Sequence, residues 1–361
     1  MINLEQCDLT DWEDNSVLRS KQLVMIVVIF CIWSALLAGC SALRSVQPQT
    51  VKETQFIMDT IMDITVYGPQ PQSAIDAAFT EIKRIDALMN IYDVNSEASK
   101  VNVSAGSKPI AVSQDMITVL ERSLQFSEMT DGVFDVTIGP LTTLWGIGKK
   151  GDYVPPADEI AKARSLVDYK KLTIDPAAKT VMLEKPGMML DLGAVAKGYA
   201  VDRAIDILKQ HGITSALVNA GGDIRVIGSR PNGEAWRIGI QHPRRSEEIA
   251  AKLALTDWDT LVTSGDYQRF FEKDGVRYHH ILNPKTGRPA IESETISVTV
   301  GTTNSLDGDI LSTVLFLLGP DAGNKLLSQL PQTDAIWITQ DEKTHLSKGF
   351  QGKIELGTAG R

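Results

Sequence analysis

The sequence predicts an α+β fold in which mostly antiparallel sheets pack against helices. Short apolar stretches with strand character follow one another in consecutive blocks, instead of alternating strictly with helices. Such blocks favour α+β over a doubly wound fold. Several longer segments carry apolar residues at helical spacing, so each helix has one apolar face that can cover a sheet. No clean linker interrupts residues 53–361, which we expect to form one domain.

The first elements predicted are a strand region and a long helix. Residues 54–67 alternate apolar and polar side chains in part, which predicts one or two strands. Pro71 then opens a helix that continues to Tyr92 with one apolar face. Ser113 is suited to be the N-cap of a second helix. A short helix over residues 158–166 is expected after a pair of prolines.

The second half predicts a hairpin, two helices and a series of strands. The hairpin joins residues 172–174 to 181–183. One helix is expected over residues 194–210, ending at Gly212. A buried helix is expected over residues 305–318, closed by glycine and proline. Strands are predicted at 215–218, 224–227, 236–240, 251–255, 277–282, 294–300 and 335–338.

Composition excludes several classes of function. The net charge is −9, which argues against a nucleic-acid-binding protein because phosphate backbones are bound by Lys and Arg. The three cysteines, Cys7, Cys31 and Cys40, all lie near the N-terminus. The main body therefore has no thiolate metal site, internal disulfide or cysteine nucleophile.

The N-terminal segment has the character of an export signal. Residues 23–37 form an apolar run after Arg19 and Lys21, short for a membrane span but suited to a signal peptide. Leu37-Ala38-Gly39-Cys40 follows and resembles the bacterial lipobox. We expect a signal peptide over residues 1–39, a lipidated Cys40 and a tether to residue 52. The protein would then be an exported bacterial lipoprotein, anchored on the periplasmic or extracytoplasmic face.

Two alternatives remain for this segment. It would instead be an uncleaved signal anchor if Cys40 were incidental. Residues 1–22 also contain several acidic residues, which is unusual before an apolar signal segment. A natural start codon further downstream is therefore a hypothesis.

Asp309 and Thr313 are the first pair of candidate site residues. They are four residues apart, so a helix places them on one face among apolar neighbours. A carboxylate and a hydroxyl there would suit a hard cation such as Mg²⁺. Spacing alone favours the alternative, an internal hydrogen bond or a helix cap.

Two glycine-containing junctions are candidate phosphate sites. Gly193 lies where a helix is predicted to begin, and Lys197 follows in its first turn, an arrangement that attracts anions. A glycine pair precedes Asp223 and permits close approach of a ligand. Each is also consistent with an ordinary helix start or a simple turn.

His279 and His280 lie at a strand end. Neighbours on a strand face opposite ways, so we expect at most one of them to face a given site. That histidine would be a general base or a phosphate ligand, and a packed or surface histidine is the alternative. Together these stretches favour metal-assisted phosphoryl chemistry.

The same stretches resemble the ApbE family of flavin transferases. The matching segments, in order, are FIMDT from Phe56, Tyr92 with Ser96, Glu97 and Asn102, GVFDVT from Gly132 with GPL from Gly139 and Trp145, DLGAVAKGYAVD from Asp191, VNAGGDI from Val218, TSGDY from Thr263, HHILNPKTG from His279 and DILST from Asp309. The resemblance covers roughly residues 53–319 and implies an ApbE-like α+β fold.

The resemblance also implies roles for individual residues. A metal, Mg²⁺, is expected at the carbonyl of Ala194 and the side chains of Asp309 and Thr313. His280 is implied as the catalytic base, with an aspartate as the alternative. The residues expected to contact FAD are Met58, Tyr92, Val133, Phe134, Asp135, Asp191, Lys197 and Ile281.

The implied reaction moves FMN from FAD onto a threonine of another protein and releases AMP. The expected acceptors are threonine-bearing flavoproteins of exported or membrane electron-transfer systems. Two rival functions share the site: an FAD pyrophosphatase that gives FMN and AMP, and a flavin-binding lipoprotein without catalysis.

Overall fold

The computed structural model describes residue 25, residues 49–291 and residues 293–357. The chain divides into two units, Met1–Gln47 and Pro48–Arg361, and the elements below belong to the second. The expected lipobox with Cys40, and the tether as far as residue 48, lie outside the described residues. Within the described residues, no helix is both long and apolar enough to cross a membrane.

The helices alternate with strands only in part. The α-helices are α1 (Pro71–Met89), α2 (Glu97–Val103), α3 (Gln114–Met129), α4 (Gly139–Trp145), α5 (Ala157–Arg164), α6 (Ala196–Gln210) and α7 (Ser305–Leu327). The strands are β1 (Thr50–Ile57), β2 (Thr60–Tyr67), β3 (Ile110–Ala111), β4 (Leu172–Asp175), β5 (Thr180–Leu183), β6 (Ser215–Ala220), β7 (Asp223–Ile227), β8 (Trp236–Gln241), β9 (Ile249–Leu255), β10 (Thr260–Gly265), β11 (Phe270–Lys273), β12 (Val276–His279), β13 (Leu282–Asn283), β14 (Arg288–Pro289), β15 (Thr295–Thr302), β16 (Asp334–Thr339), β17 (Thr344–Leu346) and β18 (Lys353–Leu356).

An eight-stranded sheet organises the fold, in the order β1-β2-β6-β7-β10-β15-β16-β17. Every neighbouring pair in it is antiparallel. The predicted α+β class with mostly antiparallel sheet is therefore confirmed. β1 and β17 are the two edges of this main sheet.

Apolar side chains cover both faces of the main sheet. On β6, Val218 belongs to the large core shared with helices α1, α6 and α7. Its neighbour Leu217 packs on the other face, against a second apolar cluster that contains Trp236 and Leu253 of the small β18-β9-β8 sheet. This alternation follows from the two-residue period of a strand.

The predicted caps and helices are largely confirmed. α1 begins at Pro71 as expected, and the hydroxyl of Ser113 accepts from the amide of Met116 at 3.2 Å as the N-cap of α3. α6 begins at Ala196, two residues later than expected, because Val195 still has non-helical dihedrals. α2 and α4 were not predicted. Both are single short helices of seven residues with too few turns to show a periodic pattern.

Two of the predicted elements differ in extent from the structure, and β10 in the main sheet was not predicted as a strand. The segment after residue 318 resumes as helix to Leu327, across a kink at Gly319 with φ 70° and ψ 179°. Pro320 suits this kink because proline lacks an N–H and is tolerated where a helical segment begins. The single strand expected over residues 277–282 is divided, because β12 pairs with β11 and β13 pairs with β14. His280 and Ile281 lie between these two short strands.

Candidate functional site

A cavity of about 460 Å³ lies at the end of the main sheet where the β1–β2 and β6–β7 turns meet. This volume is in the range of small-molecule sites. Every expected site residue within the described chain lines it: Met58, Tyr92, Val133, Phe134, Asp135, Asp191, Ala194, Lys197, His280, Ile281, Asp309 and Thr313. Cys40 lies outside the described residues. Segments that are distant in sequence therefore converge on one space.

Gly198 allows α6 and α7 to approach each other at the cavity wall. A Cβ at this position would lie 2.1 Å from the carbonyl oxygen of Ser305 and 2.9 Å from Cβ of Asp309. Only glycine permits such a contact without a shift of the backbone. The amide N–H of Gly198 donates to Oδ2 of Asp309 at 3.0 Å. The motif that begins at Asp191 is thereby joined to the helix that carries Asp309.

The N-terminus of α7 is held by other residues. Asn304 is its N-cap and accepts from the amide of Asp307. Asp202 on α6 accepts from the amides of Ser305 and Leu306 at 2.8 and 3.0 Å. A capping role for Asp309 is therefore wrong, whereas the internal hydrogen bond, the other part of that alternative, is present between Asp309 and the amide of Gly198. Its carboxylate is instead directed to α6 and the cavity.

Lys197 lies between two buried carboxylates. Its Nζ is 2.7 Å from Oδ2 of Asp223 and 3.0 Å from Oδ1 of Asp309. Burial lowers the pKa of Lys197, but the charges of the two carboxylates outweigh burial and raise it above its ordinary value. Burial raises the pKa of Asp223 to about 6, against the attraction of Lys197. Two carboxylates thus share one ammonium group in the cavity wall.

The metal expected here would be held by oxygen atoms only. Asp309 offers a carboxylate, Thr313 a hydroxyl and Ala194 a backbone carbonyl, and all three residues line the cavity. Such a set suits Mg²⁺, which keeps further positions for water and phosphate oxygens. The excess of carboxylate over ammonium charge also favours a bound cation. Among the described residues no group of three or more His, Cys, Asp or Glu is placed to hold a metal, so the donor set depends on the hydroxyl and the carbonyl.

His280 is oriented by the backbone of Arg269. Its Nδ1 lies 3.3 Å from the carbonyl oxygen of Arg269, and its amide donates to the same oxygen at 3.1 Å. A carbonyl oxygen only accepts, so this contact places the proton on Nδ1 and the lone pair on Nε2. Burial, with the nearby charge of Arg269, lowers the pKa of His280 to about 3. The imidazole is therefore neutral near pH 7.

His279 faces away from this cavity. Its side chain is buried, and the centroid of its ring lies 5.4 Å from that of the Phe316 ring. Burial lowers the pKa of His279 to about 4. It is not among the lining residues, whereas His280 is. The expectation that at most one of the two histidines faces the site is confirmed.

Three segments meet across the mouth of the cavity. Met58 and Asp59 form the β1–β2 turn, both with positive φ. Nζ of Lys149 lies 3.3 Å from the ring centroid of Tyr92 and 3.6 Å from Oδ2 of Asp59. Tyr92 is nevertheless 60% exposed. A cation–π contact and an ion pair therefore join the β1–β2 turn to the loops after α1 and α4.

Asp135 and Asp191 shape the backbone of the cavity wall. The carboxylate of Asp135 accepts from the amide and hydroxyl of Thr137 at 2.8 and 2.6 Å, and from the amide of Tyr169 at 2.9 Å. Burial raises the pKa of Asp135 against these hydrogen bonds. Asp191 accepts from the amide of Gly193 at 2.8 Å. Both side chains hold the loops on which other lining residues depend.

Asp223 and Arg269 are lining residues that were not among the expected site residues. Asp223 was noted only as the end of a glycine-containing turn, and its partner Lys197 is 26 positions away. Its signal in the sequence was the glycine pair before it, which a simple turn explains equally well. Arg269 follows the TSGDY segment and carries no local pattern that indicates a site.

Comparison with known proteins gives consistent matches. A model of the ApbE family matches residues 58–337. A protein of Klebsiella pneumoniae named FAD:protein FMN transferase is 38% identical over 269 residues, covering 74% of this chain and 83% of its own. One of the same name from Treponema pallidum is 33% identical over 319 residues, covering 84% and 88%.

Solved structures agree with these matches. The ApbE protein of Thermotoga maritima has a TM-score of 0.76 and 32% identity, covering 83% of this chain and 97% of its own. The flavin transferase ApbE of Vibrio cholerae has a TM-score of 0.73 and 30% identity, covering 86% and 98%.

Proposed function

This chain belongs to the ApbE family and is a transferase, and we propose that it moves FMN from FAD onto a threonine of an acceptor protein, releasing AMP. The observation that carries this proposal is the convergence of Lys197, Asp309, Thr313 and His280 on one cavity. These groups suit a pyrophosphate: an ammonium group, oxygen ligands for a cation and a neutral imidazole. The rest of the cavity is large enough to take part of a dinucleotide.

The proposed reaction exchanges one phosphorus–oxygen bond for another. The hydroxyl oxygen of the acceptor threonine attacks the phosphorus on the flavin side of the pyrophosphate. The bond from that phosphorus to the bridging oxygen breaks, and the bridging oxygen leaves as part of AMP. Nε2 of His280 accepts the hydroxyl proton, which its neutral state permits. An aspartate remains the alternative base, and Asp223 and Asp135 are both buried carboxyls in the cavity with raised pKa values.

Lys197 and the oxygen donors act on the charge of the pyrophosphate. Lys197 is held by Asp223 and Asp309, so these two ion pairs fix the position of its ammonium group. Ala194, Asp309 and Thr313 would hold Mg²⁺, which supplies positive charge against the phosphate oxygens when bound. Because α6 and α7 contact each other at Gly198, these groups are held in fixed positions and can orient the pyrophosphate.

We also propose where in the cell the protein is located. The lipobox-like Leu37-Ala38-Gly39-Cys40 supports an exported protein anchored by lipid on Cys40. Acceptors would then be exported or membrane flavoproteins. Mass spectrometry of the mature N-terminus tests this: a diacylated cysteine is expected, and an intact residue 1 with no lipid would contradict it.

The decisive experiment follows the mass of the acceptor. The full chain in detergent is mixed with FAD, Mg²⁺ and an acceptor domain, and intact mass and AMP are recorded. We expect the acceptor to gain one FMN with equimolar AMP. Asp309→Ala, or removal of Mg²⁺ with a chelator, should abolish the gain. Asp321→Ala is the matched control, since Asp321 is exposed on the same helix and does not line the cavity.

The rival functions give different results in the same experiment. AMP with free FMN and no labelled acceptor would indicate a pyrophosphatase, which uses the same site with water in place of threonine. FAD bound without any AMP would indicate a flavin-binding protein and would contradict the transferase function.

A further inference from the structure

The outer edge of β1 offers backbone groups to a further strand. The carbonyl of Ile61 accepts a hydrogen bond from the amide of Gly221 at 3.0 Å, so the backbone groups of Ile61 face β6. Successive residues of a strand direct their backbone groups to opposite sides, so those of Thr60 face β1. Thr60 pairs with Ile57 next to the two-residue turn. The backbone groups of Ile57 and of every second residue before it therefore face β2. Gln49 follows the same alternation, because its carbonyl faces the β2 side and accepts a hydrogen bond from the amide of Gly68 at 3.2 Å.

The remaining residues of β1 must direct their N–H and C=O groups outward. These residues are Thr50, Lys52, Thr54 and Phe56. β1 is an edge of the main sheet, and no strand among the described residues pairs with this side of it. Phe56, Ile57 and Met58 line the cavity. The row of outward backbone groups therefore ends at the mouth of the cavity.

Exposed apolar side chains surround that end of the row. Phe56 and Ile61 lie opposite each other across β1 and β2 and are 73% and 60% exposed. Tyr92, which lines the same cavity as Phe56, is 60% exposed, and Val94 nearby in the chain is 78% exposed. We call these four residues the mouth rim. Exposed apolar groups that are clustered, not scattered, indicate a binding surface.

We propose that the outer edge of β1 and the mouth rim together bind the acceptor protein, whose threonine-bearing segment adds to β1 as an extended strand. This inference rests on the proposed transfer function. The occupant is a segment with apolar side chains at alternate positions, because main-chain hydrogen bonds to the edge give affinity while alternate side chains meet the rim. The row ends at the cavity, so the segment delivers its threonine hydroxyl there.

The reaction itself favours this occupant. FAD supplies both the flavin and the adenylate parts, so the one remaining reactant is the acceptor hydroxyl, which must enter from the mouth. A strand bound across the mouth also excludes water from the reacting phosphorus. Loss of the docking contacts should therefore increase FAD hydrolysis relative to transfer, in addition to weakening acceptor binding.

A proline substitution tests the edge directly. Thr54→Pro removes an outward N–H and leaves the bonds to β2, which come from the neighbours of Thr54, in place. The control Thr54→Val keeps the N–H and loses only the hydroxyl that contacts Asp63. With the full chain, we expect the KM for the acceptor to rise about tenfold in Thr54→Pro, which corresponds to about 1.4 kcal/mol, and to stay near wild type in Thr54→Val.

Substitutions in the rim test the apolar contacts. Ile61→Ser and Val94→Ser each remove an exposed apolar side chain that does not line the cavity. We expect each to raise the KM for the acceptor several-fold and to leave the KM for FAD unchanged. Leu346→Ser is the control, because Leu346 is an exposed apolar residue on β17, the opposite edge of the same sheet. It should leave both KM values unchanged.

Four outcomes separate the interpretations. Higher acceptor KM and a larger share of hydrolysis in Thr54→Pro and Ile61→Ser, with FAD binding intact, support docking at β1. If the acceptor KM is unchanged in both variants and the wild type is active, docking at β1 is overturned and the transfer function stands. A wild type that never labels the acceptor overturns the transfer function and docking together. A wild-type dimer in sedimentation that Thr54→Pro dissociates would assign the edge to a second copy and overturn docking.

Discussion

Gly198 donates its amide proton to Asp309 at 3.0 Å, across a contact in which no side chain fits between α6 and α7. These residues are 111 positions apart, and each belongs to a segment that is unremarkable on its own. The contact places Lys197, the residue before Gly198, beside the same carboxylate. The spacing of the two helices therefore determines the geometry of the proposed pyrophosphate site.

Gly198→Ala should damage both stability and transfer. The added Cβ would lie 2.1 Å from a backbone oxygen, so the helices must separate. Overpacking of this kind costs about 1–3 kcal/mol. Thermal unfolding and the rate of acceptor labelling measure the two effects. Gly239→Ala is the control, since its Cβ would meet only the flexible end of Ile249 at 3.1 Å. Equal rates in the two variants would contradict a role for the helix contact.

Lys197→Met should leave Asp223 and Asp309 as uncompensated buried carboxylates. Loss of one partner of a buried pair costs about 3 kcal/mol. The double variant Lys197→Met with Asp223→Asn should recover much of that stability and none of the transfer activity. Denaturant unfolding and acceptor labelling give the two readouts. Recovery of activity in the double variant would show that the ammonium group is not needed for the reaction.

The Asp223 carboxyl, which is paired with Lys197, makes the stability of the fold depend on pH. Its pKa is raised from 3.8 to about 6, so the folded chain holds the proton more tightly than the unfolded chain. Its contribution to stability is therefore present below pH 3.8 and is lost as the pH rises through 6. In the wild type Lys197 limits this loss. We expect Lys197→Met to lose more stability than wild type between pH 4 and pH 8.

His280 should make the fold less stable in acid. Its pKa is lowered to about 3, so the unfolded chain takes up a proton below pH 6.5 that the folded chain does not. Stability is therefore lost as the pH falls from 6.5 towards 3. His280→Gln should show a smaller drop in denaturation midpoint between pH 7 and pH 5 and should lose transfer activity. His345→Gln, at an exposed histidine on β17, is the control, and an unchanged drop in His280→Gln would contradict the lowered pKa of His280.

Asp135→Ala should loosen the loop before α4. The carboxylate accepts three hydrogen bonds from Thr137 and Tyr169, two of them from backbone amides. Leaving these donors without a partner costs about 2 kcal/mol. We expect lower unfolding stability and weaker FAD binding, because Val133 and Phe134 line the cavity beside it. Asp131→Asn removes only an ion pair between exposed side chains, because asparagine tolerates the positive φ of 49° at this position, and it should change neither.

Local patterns predicted much of the fold. The apolar face of α1 and the cap at Ser113 depend on residues three or four positions apart, and the structure has both. The strand over residues 277–282 was predicted as one element, and no glycine or proline interrupts these residues. It is divided because its two halves find different partners, β11 and β14. Pairing between distant segments leaves no mark in the local sequence.

The site was predictable mainly as a set of segments. The spacing of Asp309 and Thr313 shows a shared helix face, but by itself it favours a cap or an internal hydrogen bond. Only the fold shows that Asn304 and Asp202 already hold the helix start, so that Asp309 is available to Lys197. The same limit applies to Asp223, whose role depends on a partner 26 positions earlier. The resemblance to a family grouped these segments where spacing alone did not.

The ammonium group of Lys197 forms an ion pair with one oxygen of Asp309, the carboxylate expected to bind the metal. A cation entering alone must compete with that ion pair, whereas a cation entering with a pyrophosphate offers Lys197 new anionic partners. The affinities for metal and for FAD should therefore be coupled, each raising the other by the same factor. Calorimetric titrations of Mg²⁺ with and without FAD would then show cooperative binding, and Lys197→Met would reduce that cooperativity while strengthening binding of the metal alone.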